Sequence, residues 1–423
     1  MRVPDPVPST SERSKWDVLA APRDPILAIH QAYQQDPSPL AVNVSVGAYR
    51  DAGGNVHEFR AVRDARLSIA ASSTYDHAYL PISGLEHLAS QSARLIYGDD
   101  VFESGRIACL HTVSGSCALR LALSLASRVL GAEEAHVSLP AWPNHVQMVP
   151  MEALKLARYR YYDYDRHAVD IDGMLADLGK AKRGDVVLLQ ACAHNPSGAD
   201  LKEREWRRVA DVVQQRRLVP VFDMAYQGLA SGDMEEDVCA VRTFVRKGIN
   251  VIVAQSFSKN LGLYNSRVGT VSVCVADKVP GRDTATNLLS QLSWLARGMY
   301  SSPPAHGALI AAKVMGDDTL RAKWLLEIKE VVGRIGKMRE RLRDELERRK
   351  VAGHWKHITQ TKGMFVLLGL TYSQVERMRV LHHIYLTGNS RINIAGLNEN
   401  NVAQVAEAIA EVVQNSKTPE QGC

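Results

Sequence analysis

The chain has 423 residues, enough for two or three domains and a large buried core. Hydrophobic residues make up 46% of it and charged residues 23%, as in an ordinary globular protein. A net charge of +5, spread along the chain, provides no concentrated basic surface for a nucleic acid and suits small anionic ligands equally well. No apolar run approaches the roughly 18 residues of a membrane span, so neither nucleic acid nor membrane is an expected partner.

The cysteines and histidines predict no metal centre. The six cysteines contain no Cys-x-x-Cys pair, which is typical of reduced thiols in an intracellular protein. His382 and His383 are adjacent and cannot both face one ion from a regular element.

Residues 1–25 are polar, are interrupted by prolines and lack the apolar core of a secretory signal. They are predicted to form an extended arm, either disordered or docked on a partner subunit.

Helical and strand-like segments alternate along most of the chain. The predicted helices cover 60–72, 85–97, 117–130 and 203–217. The predicted strands cover 107–113, 136–141, 186–193, 219–222, 251–254 and 268–275. Strands separated by helices at this spacing predict an α/β fold with a mostly parallel central sheet flanked by helices on both faces.

Both ends of the chain are predicted to form smaller elements. A strand-like run, AVNVSVGAY (41–49), follows a short helix after residue 25. A long charged helix over 318–349 has the length of a spine joining two domains, and a strand-rich section over 357–370 follows it. The last predicted element is an amphipathic helix over 400–414.

Polar or aromatic residues follow five of the predicted strands. In order, they are Ser114-Gly115-Ser116, Trp142, Asn195, Asp223 with Tyr226, and Ser256, Ser258, Lys259 and Arg267. In open parallel sheets, ligands bind beyond the carboxyl ends of the strands. Each group alone is also compatible with turn or packing roles, but five strand ends with suitable groups predict one shared binding site.

Lys259 is the candidate nucleophile of that site. A second cation and a water-poor cleft both disfavour its ammonium form, so a lowered pKa and a nucleophilic amine are expected. Serine hydroxyls and Arg267 suit a phosphate, and an amine beside an anion site is what pyridoxal phosphate requires. Asp223 would suit a protonated ring nitrogen, and Trp142 a stacked ring. A solvated surface lysine would have the same local sequence, so Lys259 alone leaves both interpretations open.

A different chemistry is considered for the same stretch. Ser256-Phe-Ser-Lys259 matches the Ser-x-x-Lys motif of serine acyl-enzymes. In those enzymes the serine opens a helix and acts with KTG-type and SDN-type words, which this chain lacks. The acyl-enzyme interpretation is therefore the weaker one.

Nine words of the sequence resemble the aspartate aminotransferases, class I aminotransferases of the pyridoxal-phosphate fold type I. The words are VNVSVGAYR (42–50), YLPISG (79–84), AWPNH (141–145), ACAHNPSG (191–198), FDMAYQGLASG (222–232), QSFSKNLGLYNSRVG (255–269), SSPPAHGA (301–308), GMF (363–365) and RINIAGL (391–397). The resemblance extends from about residue 24 to 414. It implies an N-terminal arm (1–25), a small domain (26–59 with 341–423) and a large cofactor-binding domain (60–340).

The resemblance also implies roles for individual residues. Lys259 would form the Schiff base with pyridoxal phosphate and move the proton, Asp223 would pair with the ring nitrogen, and Tyr226 would bond the ring oxygen. Further cofactor contacts are implied for Ser114, Gly115, Ser116, Trp142, Asn195, Ser256, Arg267 and, from the partner subunit, Tyr79. The implied substrate contacts are Gly47, Trp142, Asn195 and Arg391, with Arg297 of the partner subunit for the distal carboxylate.

The activity implied is reversible, ping-pong amino transfer between L-aspartate and 2-oxoglutarate, giving oxaloacetate and L-glutamate, in a homodimer with shared sites. An aromatic or broad-specificity aminotransferase on the same fold is the alternative. Gln190 stands where a histidine commonly supports the cofactor-binding aspartate, which predicts an altered orientation of Asp223 or an altered pH optimum. The words at 15–18 and 24–27 resemble mitochondrial members, so a mitochondrial location is expected, with a cytoplasmic one as the alternative.

Overall fold

A computed structural model describes residues 16, 18–21, 24–73, 76–276 and 283–414. The strands are β1 Val42–Asn43, β2 Ile107–Val113, β3 Glu134–Leu139, β4 Lys155–Arg160, β5 Tyr162–Asp163, β6 Ala168–Val169, β7 Val186–Gln190, β8 Val219–Met224, β9 Val251–Ser256, β10 Val268–Cys274, β11 Phe365–Leu367, β12 Ile384–Tyr385 and β13 Arg391–Asn393. The helices are α1 Pro25–Gln34, α2 Arg60–Ala70, α3 Glu86–Tyr97, α4 Asp99–Glu103, α5 Ser114–Arg128, α6 Pro143–Met151, α7 Ile171–Leu178, α8 Glu203–Arg216, α9 Met234–Asp237, α10 Cys239–Arg246, α11 Thr284–Met299, α12 Ala305–Gly316, α13 Asp318–Arg348, α14 His357–Gln360, α15 Tyr372–His382 and α16 Val402–Gln414, with a 3₁₀ turn at Ile394–Gly396.

A seven-stranded sheet forms the centre of the fold, in the order β2, β10, β9, β8, β7, β3, β4. Only β10 runs antiparallel to its neighbours, so the predicted mostly parallel sheet is confirmed. Successive strand residues face opposite sides. In β7, Val186 and Leu188 pack into the same core as α5, whereas Val187 and Leu189 pack into the core that contains α8 and α10. Because β2, β3, β7, β8 and β9 all run in the same direction, their carboxyl ends lie at one edge of the sheet.

Several predicted boundaries differ from the structure. The helix predicted from residue 117 begins at Ser114, so the Ser-Gly-Ser group lies in its first turn. The run at 41–49 forms only the two-residue β1, and the strand-rich section at 357–370 begins with the short helix α14. The edge strand β4 was not predicted, because its sequence, KLARYR, is largely charged and most of it is exposed.

The two ends of the chain meet in one hydrophobic core. β1 pairs with β12, so Val42 lies opposite Ile384. This core continues through α13 and α16 to α2 and α12. The predicted arm falls largely outside the described residues, and no helix within the described ranges is long and apolar enough to cross a bilayer.

A buried carboxylate from α13 caps the beginning of α2. The residue before α2, Phe59, offers no side-chain cap. Glu327 supplies one instead: its carboxylate accepts hydrogen bonds from the backbone N–H of Arg60 at 2.6 Å and of Ala61 at 3.0 Å. These amides belong to the first helical turn, which has no carbonyl partners of its own, and they favour a negative charge. The cap thereby fixes α2 against the long helix.

Replacing this carboxylate should destabilise the fold. We expect Glu327→Gln to lower the free energy of unfolding by about 2 kcal/mol, because the amide keeps the shape but weakens two buried, charge-assisted hydrogen bonds. Glu330→Gln, one turn away, is the control. It removes only an exposed contact to Arg60 at 2.9 Å, and we expect a loss below about 0.5 kcal/mol. Denaturant unfolding of both variants measures the difference, and equal losses would contradict the capping role.

Candidate active site

A cleft of about 250 Å³ opens at the carboxyl edge of the central sheet. It brings together most of the predicted site residues: Gly47, Gly115, Ser116, Trp142, Asn195, Asp223, Tyr226, Ser256, Lys259, Arg267 and Arg391. Ser114 is buried directly behind the cleft, where its positive φ of 70° turns the chain from β2 into α5. Tyr79 and Arg297 do not line it. Residues separated by more than 340 positions thus share one cavity.

One end of the cleft is suited to an anion. The first turn of α5 presents backbone N–H groups there, at the positive end of the helix dipole. Gly115 packs so closely on the neighbouring strand that a Cβ at this position would stand 2.5 Å from the Cβ of Ser256. The guanidinium of Arg267 lies beside Ser258, with Nη1 3.5 Å from its hydroxyl. Amides, hydroxyls and a guanidinium converging on one point are the groups that hold phosphate.

Lys259 lies partly buried in the middle of the cleft, just after the end of β9. Burial lowers the pKa of its amine below the ordinary value; the carboxylate of Asp223 opposes this shift and Arg267 adds to it. The Nζ atom lies 5.3 Å from the centre of the Tyr226 ring. The predicted cation and cleft are both present, and burial is the larger cause of the lowered pKa. The amine is thereby available as a base or nucleophile nearer to neutral pH.

Asp223, near the end of β8, is held by a histidine that the sequence analysis did not single out. Nε2 of His145 lies 2.7 Å from its Oδ2, and the ring of His145 is fully buried. The structure thereby corrects the expectation for Gln190. Its side-chain amide does not contact Asp223 but bonds the backbone of Asn195 in both directions, at 3.0 and 2.9 Å. Gln190 therefore shapes the turn that carries Asn195.

Arg391 closes the other end of the cleft. Its Nη1 donates to Oδ1 of Asn195 at 2.9 Å and its Nη2 to the carbonyl of Ser45 at 2.6 Å. The guanidinium lies over the ring of Phe365, with 4.2 Å between Cζ and the ring centre. Burial lowers the pKa of this arginine to about 10, which leaves it cationic at neutral pH. A buried, oriented guanidinium of this kind is suited to bind a carboxylate.

The cleft has more positive than negative groups. In the described part of the chain, no carboxylate lies within 4.0 Å of the charged groups of Lys259, Arg267 or Arg391. Nε of Arg391 and Nδ1 of His145 are also buried without a hydrogen-bond partner. An unpaired charge is costly at the buried Arg391 and at the partly buried Lys259, and Arg267 adds an accessible cation at the phosphate end, so these groups fit a ligand with two separate anionic ends. Pyridoxal phosphate together with an amino-acid carboxylate meets that requirement.

Tyr79 and Arg297 lie together at a second cavity, of about 860 Å³. The side chain of Tyr79 is 96% exposed, and Nη1 of Arg297 donates to the hydroxyl of Ser301 at 2.6 Å. Trp294, on the same helix as Arg297, is also largely exposed. An exposed tyrosine and tryptophan near an arginine are typical of a protein–protein interface.

Two aromatic residues that line the cleft, Tyr264 and Phe365, were not predicted as site residues, and neither was His145, which contacts Asp223. His145 and Phe365 occur within the words AWPNH and GMF, which was the only signal for them in the sequence. Tyr264 accepts a hydrogen bond from the backbone N–H of Tyr49 at 2.8 Å, and this contact links two segments 215 residues apart.

Comparisons with known proteins agree with this geometry. The family model described as aminotransferase class I and II matches residues 41–409. The chain is 39% identical over 399 residues to the cytoplasmic aspartate aminotransferase of Oryza sativa subsp. japonica, covering 94% of this chain and 97% of that protein. It is 40% identical over 406 residues to the mitochondrial aspartate aminotransferase of Xenopus tropicalis, covering 95% and 94%.

A solved structure is similar over the same length. The aromatic-amino-acid aminotransferase from Burkholderia pseudomallei, covalently bound to pyridoxal phosphate, has a TM-score of 0.90 and 38% identity, covering 94% of this chain and 99% of that one. The family model spans every strand of the described structure, from β1 to β13, including those that border the cleft. This protein therefore belongs to the class I and II aminotransferases, with pyridoxal phosphate as its cofactor.

Proposed function

We propose that the protein is an aspartate aminotransferase, which transfers an amino group reversibly between L-aspartate and 2-oxoglutarate to give oxaloacetate and L-glutamate. The observation that carries this proposal is the shared cleft, in which a partly buried amine of lowered pKa, Lys259, lies between an anion site and a buried arginine, Arg391. The two curated relatives described above are both named aspartate aminotransferases, which supports the substrate pair.

The residues of the cleft divide into those that hold the cofactor and those that act on the substrate. Bound pyridoxal phosphate supplies an aldehyde and an electron-withdrawing ring. The holding residues are Ser114, Gly115, Ser116, Ser256 and Arg267 at the phosphate, Trp142 at the ring face, Asn195 and Tyr226 at the ring oxygen, and Asp223 at the ring nitrogen. Asp223 keeps its orientation through His145, 2.7 Å away.

Lys259 acts as the base in this proposal. With pyridoxal phosphate bound, the neutral amine of Lys259 would accept the proton from the substrate Cα and would later donate it back. Burial supports this role, because it disfavours the ammonium form. In a ping-pong sequence the same lysine serves both half-reactions, since each is the reverse of the other with a different keto acid.

Arg391 binds the α-carboxylate of the substrate. It is held from three sides by Asn195, the Ser45 carbonyl and the Phe365 ring, so its donors are oriented before the substrate arrives. Gly47 borders the same space, because a Cβ there would stand 2.8 Å from the Phe365 ring. Because Gly47 has no side chain, its backbone stays accessible to a carboxylate at this point.

The proposal includes a homodimer with shared sites. Tyr79 and Arg297 of each chain would reach the cleft of the other, Tyr79 at the phosphate and Arg297 at the distal carboxylate. Their position at a separate, exposed cavity supports this arrangement. A guanidinium left unpaired in a closed site is costly, so Arg297 would select dicarboxylic substrates. The proposal also includes the domains that the family resemblance implies. They are an N-terminal arm (1–25), a small domain (26–59 with 341–423) and a large domain (60–340).

A broader specificity is the second candidate. The similarity to an aromatic-amino-acid aminotransferase favours it, and so do the aromatic walls of the cleft, Trp142, Tyr226 and Phe365.

The compartment is a separate proposal: we infer a mitochondrial location from the words at 15–18 and 24–27, while the named relatives include cytoplasmic and mitochondrial proteins. Imaging a tagged full-length chain tests the location.

Substitution of the lysine tests the core of the proposal. We expect Lys259→Ala to lower the amino-transfer rate by about 10⁴-fold, because base and attachment point are lost together. Its cofactor should also become removable by dialysis. In the parent protein, aspartate alone should shift the visible absorption band of the cofactor. Lys247→Ala, at a surface ion pair with Asp211, is the control and should behave as the parent. A variant at 259 with the parent rate would refute the proposal.

Substitution of Arg297 tests substrate selectivity. We expect Arg297→Ala to lower kcat/KM for aspartate by about 10²-fold, the value of a lost charge-assisted hydrogen bond, and to leave kcat/KM for tyrosine within about threefold. Arg166→Ala removes an exposed ion pair with Asp163 and is the control. Equal losses for aspartate and tyrosine would contradict a selective role for Arg297.

Mixing two inactive variants tests whether the sites are shared. When Lys259→Ala and Arg297→Ala chains are unfolded together and refolded, hybrid dimers contain one cleft with both native residues. The mixture should recover roughly a quarter of the parental activity on aspartate, since half of the dimers are hybrids with one intact site. Recovery no greater than the sum of the separate variants would show that each chain uses its own Arg297.

A further inference from the structure

The guanidinium of Arg339 is buried in α13, outside the cleft. In the part of the chain that the structure describes, no carboxylate lies within 4.0 Å of it. All of its hydrogen-bond acceptors belong instead to one segment, 358–365, which leads into β11. The acceptors are the carbonyl of Ile358 at 2.6 Å, the hydroxyl of Thr361 at 2.7 Å, and the carbonyls of Lys362 at 3.1 Å, Gly363 at 2.8 Å and Phe365 at 2.9 Å.

Such an arrangement determines the shape of the segment. Carbonyls that point inward at 358–365 have no strand or helix partner at these positions, and one guanidinium satisfies them together. A lysine could not do so, because its single nitrogen cannot lie within hydrogen-bond distance of five separated acceptors. Gly363 adopts a positive φ of 72° within the segment. The loop conformation therefore depends on the planar fork of Arg339.

The shaped segment contacts the turn that carries Asn195. The backbone N–H of Lys362 donates to the carbonyl of Gly198 at 2.7 Å. A Cβ at Gly363 would stand 2.4 Å from the Cβ of Ala193, so the two backbones touch without space between them. Any shift of the segment would displace this turn as well.

Two of the three neighbours of Arg391 therefore depend on the same segment. Phe365 ends the segment and lies under the Arg391 guanidinium at 4.2 Å. Asn195, on the turn packed against it, accepts from Nη1 of Arg391 at 2.9 Å. Arg339 does not itself line the cleft or contact Arg391, yet it is bonded to the loop that holds both contacts in place.

We propose that Arg339 is a positioning residue for substrate carboxylate binding: through the segment 358–365 it sets the orientation of Arg391. This inference rests on the proposed function, because it assigns the α-carboxylate to Arg391. Loss of Arg339 would leave the phosphate end of the cleft and Lys259 in place, since those groups belong to α5 and β9 on the central sheet. The defect would appear in carboxylate affinity, and cofactor attachment would be preserved.

The test uses the holoenzyme and succinate, an unreactive dicarboxylate, with binding followed through the visible band of the cofactor. We expect Arg339→Met to raise the Kd of succinate and the KM of aspartate by about tenfold or more, with a smaller fall in kcat, because a misplaced donor weakens binding first. Arg339→Lys should lie between Met and the parent. All variants should retain the bound cofactor, seen as a visible absorption band.

Two further variants make the test specific. Arg341→Met, on the same helix, removes an exposed side chain whose ion-pair partner, Glu399 at 3.4 Å, lies outside the segment 358–365; it is the matched control and should leave Kd unchanged. Thr361→Val removes one of the five acceptors and should raise the Kd of succinate about twofold to threefold. If Arg339→Met does not fold, Thr361→Val and Arg339→Lys decide the question.

The outcomes separate this inference from the proposed function. A lowered unfolding temperature with a parental Kd in Arg339→Met, or in Thr361→Val if the former is insoluble, would assign the arginine a purely structural role and overturn the inference. Failure of the parent protein itself to bind succinate and to respond to aspartate would instead refute the proposed function. Loss of the cofactor band in the Arg339 variants would contradict the predicted restriction to the carboxylate end.

Discussion

Three cations around one cavity form the constraint on which the rest of the site depends. Lys259, Arg267 and Arg391 line the cleft without a carboxylate partner among the described residues. Arg391 is buried and Lys259 is partly buried, while Arg267 is exposed at the phosphate end, and no described carboxylate pairs with any of the three. Their charges instead attract anionic ligands, which explains why cofactor and substrate binding can share one small space. The same desolvation lowers the pKa of Lys259 and makes its amine available for chemistry.

The sheet topology brings these groups together. Asp223 lies opposite Ala254 in the parallel pair β8 and β9, so Lys259 follows its strand only a few residues beyond the carboxylate. The carboxyl ends of β2 and β7 lie at the same end of the sheet as those of β8 and β9. The first turn of α5, after β2, and the turn of Asn195, after β7, therefore join the site. The segments from the chain ends then cover this edge with Arg391 and Phe365. The cofactor groups thus lie on the central sheet and on the turns that follow its strands, whereas Arg391 and Phe365 lie on the separate strands β13 and β11.

The sequence predicted the parts of this arrangement that follow from local pattern. Apolar runs marked the inner strands because those strands are buried on both faces, and the residues after them marked the cleft. Long-range side-chain contacts left no such pattern. The support of Asp223 was expected from position 190, but it comes from His145, since a helix turn places that ring against β8. β4 was missed because an exposed edge strand has a charged sequence. The role of Arg339 depends on carbonyls at 358–365, which no residue type reveals.

The long helix α13 carries both the carboxylate that caps α2 and the arginine that holds the segment 358–365. Glu327 caps α2 from it, and Arg339 holds the loop beneath Arg391, about 18 Å farther along the axis at 1.5 Å per residue. A single-residue insertion between them would rotate everything beyond it by about 100°, and the cap or the loop would lose its partner. Related proteins that retain both contacts should therefore vary in length at surface turns while keeping this interval of the helix free of insertions and deletions.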